Sequence, residues 1–272
     1  MDPRLQRRVQ RYGWDKAADH YEDGWAAQLA PALTRLIDLA SLTAGERVLD
    51  VACGTGLVSL PAATAVGDLG RVLGVDLSEK MVDAARVRSD RAGLRKLELA
   101  RMDAEALTVP DASFDVALCS LGLMYVPAPS TALAEMHRAL VPGGRVVVSV
   151  WGARNRCGWA EIFPIVDARV QSDVCPLFFQ LGTGDALSGQ LRDAGFVDVT
   201  SERLAITLGY ASDADACDAA FLGGPVALAY GRFDDATRAA VRSEYLASIA
   251  ACRAGSGYAV PGEIVIAAGA KR

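Results

Sequence analysis

Two carboxylates and a pair of glycines stand at a spacing that can hold a nucleoside. In the stretch RVLDVACGTG (47–56) an apolar run reaches Asp50 and passes into Gly54 and Gly56. Glycine at those positions lets the backbone turn tightly and come close to a ligand. Asp76 ends the next apolar run, RVLGVD (71–76). It lies about 20 residues past the loop, where a carboxylate reaches the two hydroxyls of an adenosine ribose.

Those features suit a dinucleotide and other adenosine cofactors alike; two details separate them. The full G-x-G-x-x-G pattern is missing, because Ser59 takes the place of its third glycine. Asp50 also sits at the mouth of the loop, where a dinucleotide sets its pyrophosphate on a helix N-terminus. A carboxylate repels that anion and attracts a cation. S-adenosylmethionine (SAM) presents an ammonium and a sulfonium there, so the loop reads as a SAM site ahead of an NAD site. Methyl transfer from SAM is a displacement at an activated carbon, driven largely by positioning of the acceptor. A base is needed only where the acceptor must lose a proton. The candidates for catalysis are His20, near the N-terminus, and Tyr125, after the fourth predicted strand. Tyr125, Trp151, Arg154 and Trp159 are the candidate contacts for the acceptor.

These groups need a parallel sheet to position them. Apolar runs at 47–52, 71–76, 97–102, 114–121 and 145–151 alternate with helical stretches at 57–66, 78–90 and 131–140. Continuous apolar strands between helices predict an α/β fold with a mostly parallel, Rossmann-like sheet covered on both faces. In such a sheet ligands bind beyond the carboxyl ends of the strands. Ser78 is the expected N-cap of the 78–90 helix. Helices with a break near Gly24 or Pro31 precede the first strand. A helix at 185–194, strands at 196–210 and 263–269, and Ala-rich helices over 212–253 interrupted at Gly223-Gly224-Pro225 follow it. Seven strands and one domain over 1–272 result. An N-terminal helical cover spans 1–44, a SAM-binding core 45–152, cap insertions 153–182 and 211–256, and the remainder of the sheet 183–210 and 257–272.

Composition narrows the partners. Of 272 residues, 51% are hydrophobic and 22% charged, enough apolar material for a large core. The net charge is −5, which disfavours nucleic acid. The basic run Arg4, Arg7, Arg8, Arg11 reads as a solvated helix face. No apolar run suggests a membrane span, and the start MDPRLQRRVQ is not a secretory signal, so a cytoplasmic setting is expected. Six scattered cysteines, with no C-x-x-C and only two histidines, argue against a metal. The aromatics Phe163, Phe178, Phe179, Phe221, Tyr230 and Phe233 in the cap segments suit an apolar or ring-bearing acceptor or, equally, packing of the cap.

In succession, VLDVACGTG, GVDLSEKMVDAAR, MDAEALTVPDASFDVALCSLGLMYVPAP and ALVPGGRVVVSVWG resemble the motifs of class I SAM-dependent methyltransferases. The subgroup resembled is the ubiquinone/menaquinone-biosynthesis (UbiE-like) and methyltransferase type 11 group, strongly over about 45–152. The resemblance implies that Asp50 and the backbone of Ala52, Cys53 and Gly54, with Gly56, hold the methionine part of SAM. It places Asp76 on the ribose, Leu77 and Met81 beside the adenine, and Met102, Asp103 and Ala104 at the adenine edge. Ser120 would line the methionine side, and Tyr21 and Trp25 would belong to a helix over the cofactor. Ala52 stands where many members carry glycine, a mild change if its φ is negative. The implied activity is methylation of a small, apolar or aromatic metabolite, with S-adenosylhomocysteine (SAH) as product. A SAM-binding protein without catalysis, or an NAD-dependent oxidoreductase, are the competing classes. Neither the acceptor nor the oligomeric state follows from the sequence.

Overall fold

The computed structural model describes residues 2–170 and 178–272. Its sheet follows from the apolar runs. The first half contains α1 (Pro3–Ala40), β1 (Arg47–Val51), α2 (Ser59–Val66), β2 (Arg71–Asp76), α3 (Glu79–Ala92), β3 (Leu97–Arg101), β4 (Phe114–Ser120), α4 (Pro129–Ala139) and β5 (Leu140–Trp151). There follow α5 (Ile162–Asp167), α6 (Ala186–Asp193), β6 (Val197–Tyr210), α7 (Asp213–Phe221), α8 (Ala227–Tyr230), α9 (Asp235–Ser248), β7 (Arg253–Ala254) and β8 (Gly257–Ala270). The strand order is β3-β2-β1-β4-β5-β8-β6. The first five strands are parallel, and β8 runs antiparallel between β5 and β6. The mostly parallel α/β architecture expected from the sequence is the one observed. The two-residue β7, paired to β8, adds an eighth strand to the seven anticipated.

Burial explains the strand patterns. Along β1 every residue after Arg47 is buried, as is the last half of β5, because helices cover both faces there. The edge strand β6 instead alternates buried and exposed positions toward its end. After α4, Pro142-Gly143-Gly144 forms a bulge inside β5. The helix ends earlier, at Ala139, and pairing with β4 jumps from Leu140 to Arg145.

The predicted break in the N-terminal helix is absent: α1 runs unbroken for 38 residues. Pro31 removes one helical hydrogen bond, but Pro31 and Ala27, whose carbonyl loses its partner, are exposed, so that carbonyl is open to solvent. Gly24 serves close packing. A Cβ there would stand 3.0 Å from the Ala219 backbone. The helix lies across α3, α7 and α8 and over the ends of the central strands. Among the described residues, no helix is long and apolar enough to cross a membrane. Positions 171–177 of the expected cap, with Cys175, lie outside the described residues.

Candidate functional site

The chain reverses its strand order between β1 and β4, and the site forms beyond their carboxyl ends. Asp50, next to last in β1, is buried. The Ser59 hydroxyl donates to its Oδ2 at 2.5 Å, and its Oδ1 has no hydrogen-bond partner. Ser59, seen in the sequence only as a missing glycine, is thus the residue that fixes this carboxylate at the start of α2. Burial pushes the Asp50 carboxyl up to about 7, with the Ser59 bond opposing and the charge of Asp76 adding to the rise. Asp76 accepts from the Gly54 N–H at 2.9 Å and the Ser78 N–H at 2.8 Å. Burial, partly offset by these bonds, pushes its carboxyl up to about 6. Ser78 caps α3 as expected, accepting from Met81 N–H at 3.1 Å.

The loop between these carboxylates is wound tightly. Gly54 (φ +55°) and Gly56 (φ +83°) are both left-handed, and so is Ala52 at φ +57°. The negative φ expected at Ala52 is therefore corrected: alanine holds a conformation that glycine adopts without strain. The facing turn after β4 is strained too, with Leu121 at φ +55°. Such outliers cluster where surrounding structure over-determines them, often at binding sites.

A cleft of about 760 Å³ opens over this loop. Tyr21, Ala52, Gly54, Asp76, Leu77, Met81, Met102, Asp103, Ala104 and Ser120 line it, each of them expected from the sequence, together with Tyr125. Asp50 and Cys53 face an adjoining recess of about 330 Å³ that shares Tyr21, Ala52, Gly54 and Ser120 with the cleft. Gly56 faces neither space. A Cβ there would strike Leu60 at 2.5 Å, so it serves the packing of the loop.

A second, smaller chamber of about 310 Å³ lies beyond the cleft. Its walls are Trp14, Tyr21, Trp25, Leu29, Leu121, Tyr125, Trp151, Gly224 and Pro225. Trp25, expected over the cofactor, is instead buried on this wall, its ring N–H donating to the Ala219 carbonyl at 3.1 Å. Of the expected acceptor contacts, Tyr125 and Trp151 face the chamber. Trp159 stands behind them, stacked edge-on against Trp151 at 4.8 Å and Trp25 at 6.0 Å. Arg154 lies outside, on an exposed ion pair with Glu161 at 3.2 Å. His20 is exposed and lines neither space, because it falls on the outer side of α1. The aromatics of the cap segments pack mainly on one another, as Phe221 stacks on Tyr230 at 4.9 Å and Phe163 meets Phe178 at 4.7 Å.

Three residues of α1 went unnoticed in the sequence. Arg7, Gln10 and Trp14 line the cleft with Tyr21. Their spacing of three, four and seven puts all four on one helical stripe. Arg7, taken as part of a solvated face, pairs with Asp103 at 3.0 Å and with buried Glu105 at 2.7 Å. Asp15 accepts from the Ser78 hydroxyl at 2.6 Å, and Glu22 pairs with Arg88 at 3.0 Å. The helix is thereby strapped to the loops after β2 and β3 and to α3. Burial raises the thiols of Cys119 to about 12 and of Cys157 and Cys217 to about 11, so these stay protonated. No group of three His, Cys, Asp or Glu among the described residues could hold a metal.

The Asp50 carboxyl has a consequence for stability. Its folded value near 7 lies above the unfolded value of about 3.9, so the folded chain binds more protons in between. Without a ligand, stability should therefore fall as pH rises from about 4 to about 7. Asp50→Asn should flatten that slope and raise the melting temperature at pH 8 by about 2 °C or more. Calorimetric melting of both proteins at pH 5 and 8 checks this. A steeper loss in the variant contradicts it.

Comparison with known proteins agrees with this geometry. Residues 49–148 match the family model described as a methyltransferase domain, Methyltransf_11. The chain is 36% identical over 133 residues to the aklanonic acid methyltransferase DauC of Streptomyces sp. (strain C5), covering 49% of this chain and 60% of that protein. It is 41% identical over 107 residues to the demethylmenaquinone methyltransferase of Oceanobacillus iheyensis, covering 39% and 45%. The chain thus spans about half the length of these curated relatives. Its fold is similar to that of phosphoethanolamine N-methyltransferase 2 of Haemonchus contortus, solved in complex with S-adenosyl-L-methionine. The TM-score is 0.62 at 18% identity, over 95% of this chain and 57% of that one. Residues 49–148, the span that matches this methyltransferase domain, carry Asp50, the glycine loop, Asp76, Asp103 and Ser120.

Proposed function

We propose that the chain is a SAM-dependent methyltransferase acting on a small, apolar or aromatic metabolite and releasing SAH. The observation that carries this reading is the buried carboxylate of Asp50, which borders the recess that joins the cleft and one of whose oxygens has no hydrogen-bond partner. A buried anion of that kind calls for a cationic partner, and the ammonium end of SAM provides one. When bound, the cofactor supplies a methyl carbon activated for in-line displacement. The chain's own contribution is binding and alignment. Asp50 and the backbone from Ala52 to Gly54 hold the charged end. Asp76 takes the ribose hydroxyls. Leu77, Met81, Met102 and Ala104 flank the adenine, and Asp103 meets its edge. Ser120 lines the methionine side. The chamber past Tyr125 and Trp151 receives the acceptor, and its apolar walls keep water from the reacting groups.

The same reading treats 1–272 as one domain. Residues 1–44 form the cover, 45–152 the cofactor core, and 153–182 and 211–256 the cap, and the setting is cytoplasmic. The partner is a small-molecule acceptor and not a nucleic acid. Support comes from the matching domain over 49–148 and from the methyltransferase names of the relatives.

Calorimetric titration of the folded protein with SAM, SAH and NAD tests it, followed by transfer of labelled methyl to phenols, quinols and aromatic carboxylic acids. Micromolar binding of SAM and SAH, no binding of NAD, and label in a product are expected. A folded protein that ignores SAM overturns the reading, and tight SAM binding with no transfer to any acceptor favours a binding role alone.

A further inference from the structure

The cleft and the chamber adjoin. Four residues face both: Trp14, Tyr21, Leu121 and Tyr125. Three of these are aromatic, and Trp14 touches both of the others. Trp14 meets Tyr21 edge-on, centroids 5.7 Å apart at 85°, and Tyr125 at 5.0 Å and 82°. Tyr125 leans in turn on the buried Phe178 at 5.3 Å. Edge-to-face packing of this kind holds ring orientation, and the strained Leu121 closes the remaining side. The cleft side is acidic through Asp76, whose charge acts on the Tyr21 hydroxyl. The chamber side carries no charged residue on its wall.

We propose that Trp14, Tyr21 and Tyr125 form an aromatic collar that recognises the positive charge at the reacting carbon, making Trp14 a residue that discriminates SAM from SAH. This rests on the SAM reading above. Aromatic faces attract cations, most strongly where water is displaced, and tryptophan is the best of the three rings. On transfer, a bond forms between the methyl carbon and the acceptor atom while the carbon–sulfur bond breaks with its electron pair left on sulfur. Any proton on the acceptor atom passes to solvent. The sulfur is then neutral, the collar loses its attraction, and product release is favoured. Trp14 therefore acts on binding through charge, and apolar area alone does not replace it.

The test compares dissociation constants of SAM and SAH for the wild type, Trp14→Leu and Trp14→Phe, measured by calorimetry. In Trp14→Leu the SAM constant should rise about fivefold to thirtyfold while the SAH constant moves less than about twofold. Trp14→Phe should recover most of the ratio. Equal weakening of both ligands, or no change in either, overturns the collar. Failure of the wild type to bind SAM overturns the SAM reading itself, so the two are distinguishable. Should Trp14→Leu fail to fold by circular dichroism, Tyr125→Leu is read by the same ratio and decides the matter.

Discussion

Replacing Asp76 by alanine should remove measurable cofactor binding. The side chain accepts two backbone N–H groups, from Gly54 and Ser78, and so ties the glycine loop to the start of α3. Its oxygens retain lone pairs for a ribose diol. Hydrogen bonds to a charged group contribute about 1.5–3 kcal/mol each, and alanine would also orphan the two amides. A loss of affinity of at least about a hundredfold follows, since 1.4 kcal/mol is a factor of ten. Asp76→Asn keeps the shape, and its amide oxygen can still accept one of the two bonds, so it should fall between the two. Calorimetry with SAH separates the three proteins. Unchanged affinity in the alanine variant would remove Asp76 from the site.

The second large effect is expected at Gly122, which has no polar group to lose. A Cβ there would sit 2.3 Å from the Cβ of Ala52 and 3.2 Å from the sulfur of Cys119. Gly122→Ala should therefore push the 52–56 loop outward. Overpacking of this kind costs about 2–3 kcal/mol, and cofactor affinity should fall about tenfold because the same loop holds the ligand. Ala52→Gly removes the blocking methyl and the strain of a left-handed alanine, worth about 1–2 kcal/mol. Against this stands greater freedom of the unfolded chain, about 0.4–1 kcal/mol. Alone, Ala52→Gly should be near neutral. In the Gly122→Ala background it should restore much of the loss, giving a coupling of about 1–2 kcal/mol. Urea unfolding of the four proteins measures that coupling, and additive effects would contradict the contact.

Much of this architecture is written in residue types. The buried strands announced themselves as apolar runs because both faces are covered, and Asp50, Gly54 and Asp76 were found by spacing because backbone geometry dictates it. What escaped was set by long-range packing. The left-handed φ of Ala52 depends on the turn after β4 that it meets, which local propensity does not report. Trp25 and His20 were misplaced because the face each presents is set by the elements that α1 packs against, α3, α7 and α8. Reading the basic run as a solvated face hid Arg7, and the same distant packing decides the faces of Gln10 and Trp14. Ser59 was seen only as the absence of a motif residue, although a hydroxyl nine residues past a buried carboxylate is also a partner for it.

The unbroken α1 has a mechanical meaning. Its C-terminal half is pinned to the sheet: Gln28 exchanges hydrogen bonds with Gly209, Arg35 pairs with Glu202 at 2.7 Å, and the Ala40 carbonyl accepts from Arg145 at 2.5 Å. The N-terminal half touches the cofactor loops through Arg7, Asp15 and Glu22. A stiff rod held at one end is a lever. From Trp25 back to Pro3 it reaches about 33 Å, so a tilt of about 5° at the pivot carries the far tip about 3 Å, enough to part the Arg7 contacts, while Asp15 moves about 1 Å and Glu22, three residues from Trp25, scarcely moves. Near the pivot the same tilt scarcely moves Trp25. One small rotation thus has unequal arms, wide at the edge of the cleft and slight at the chamber wall that Trp25 forms.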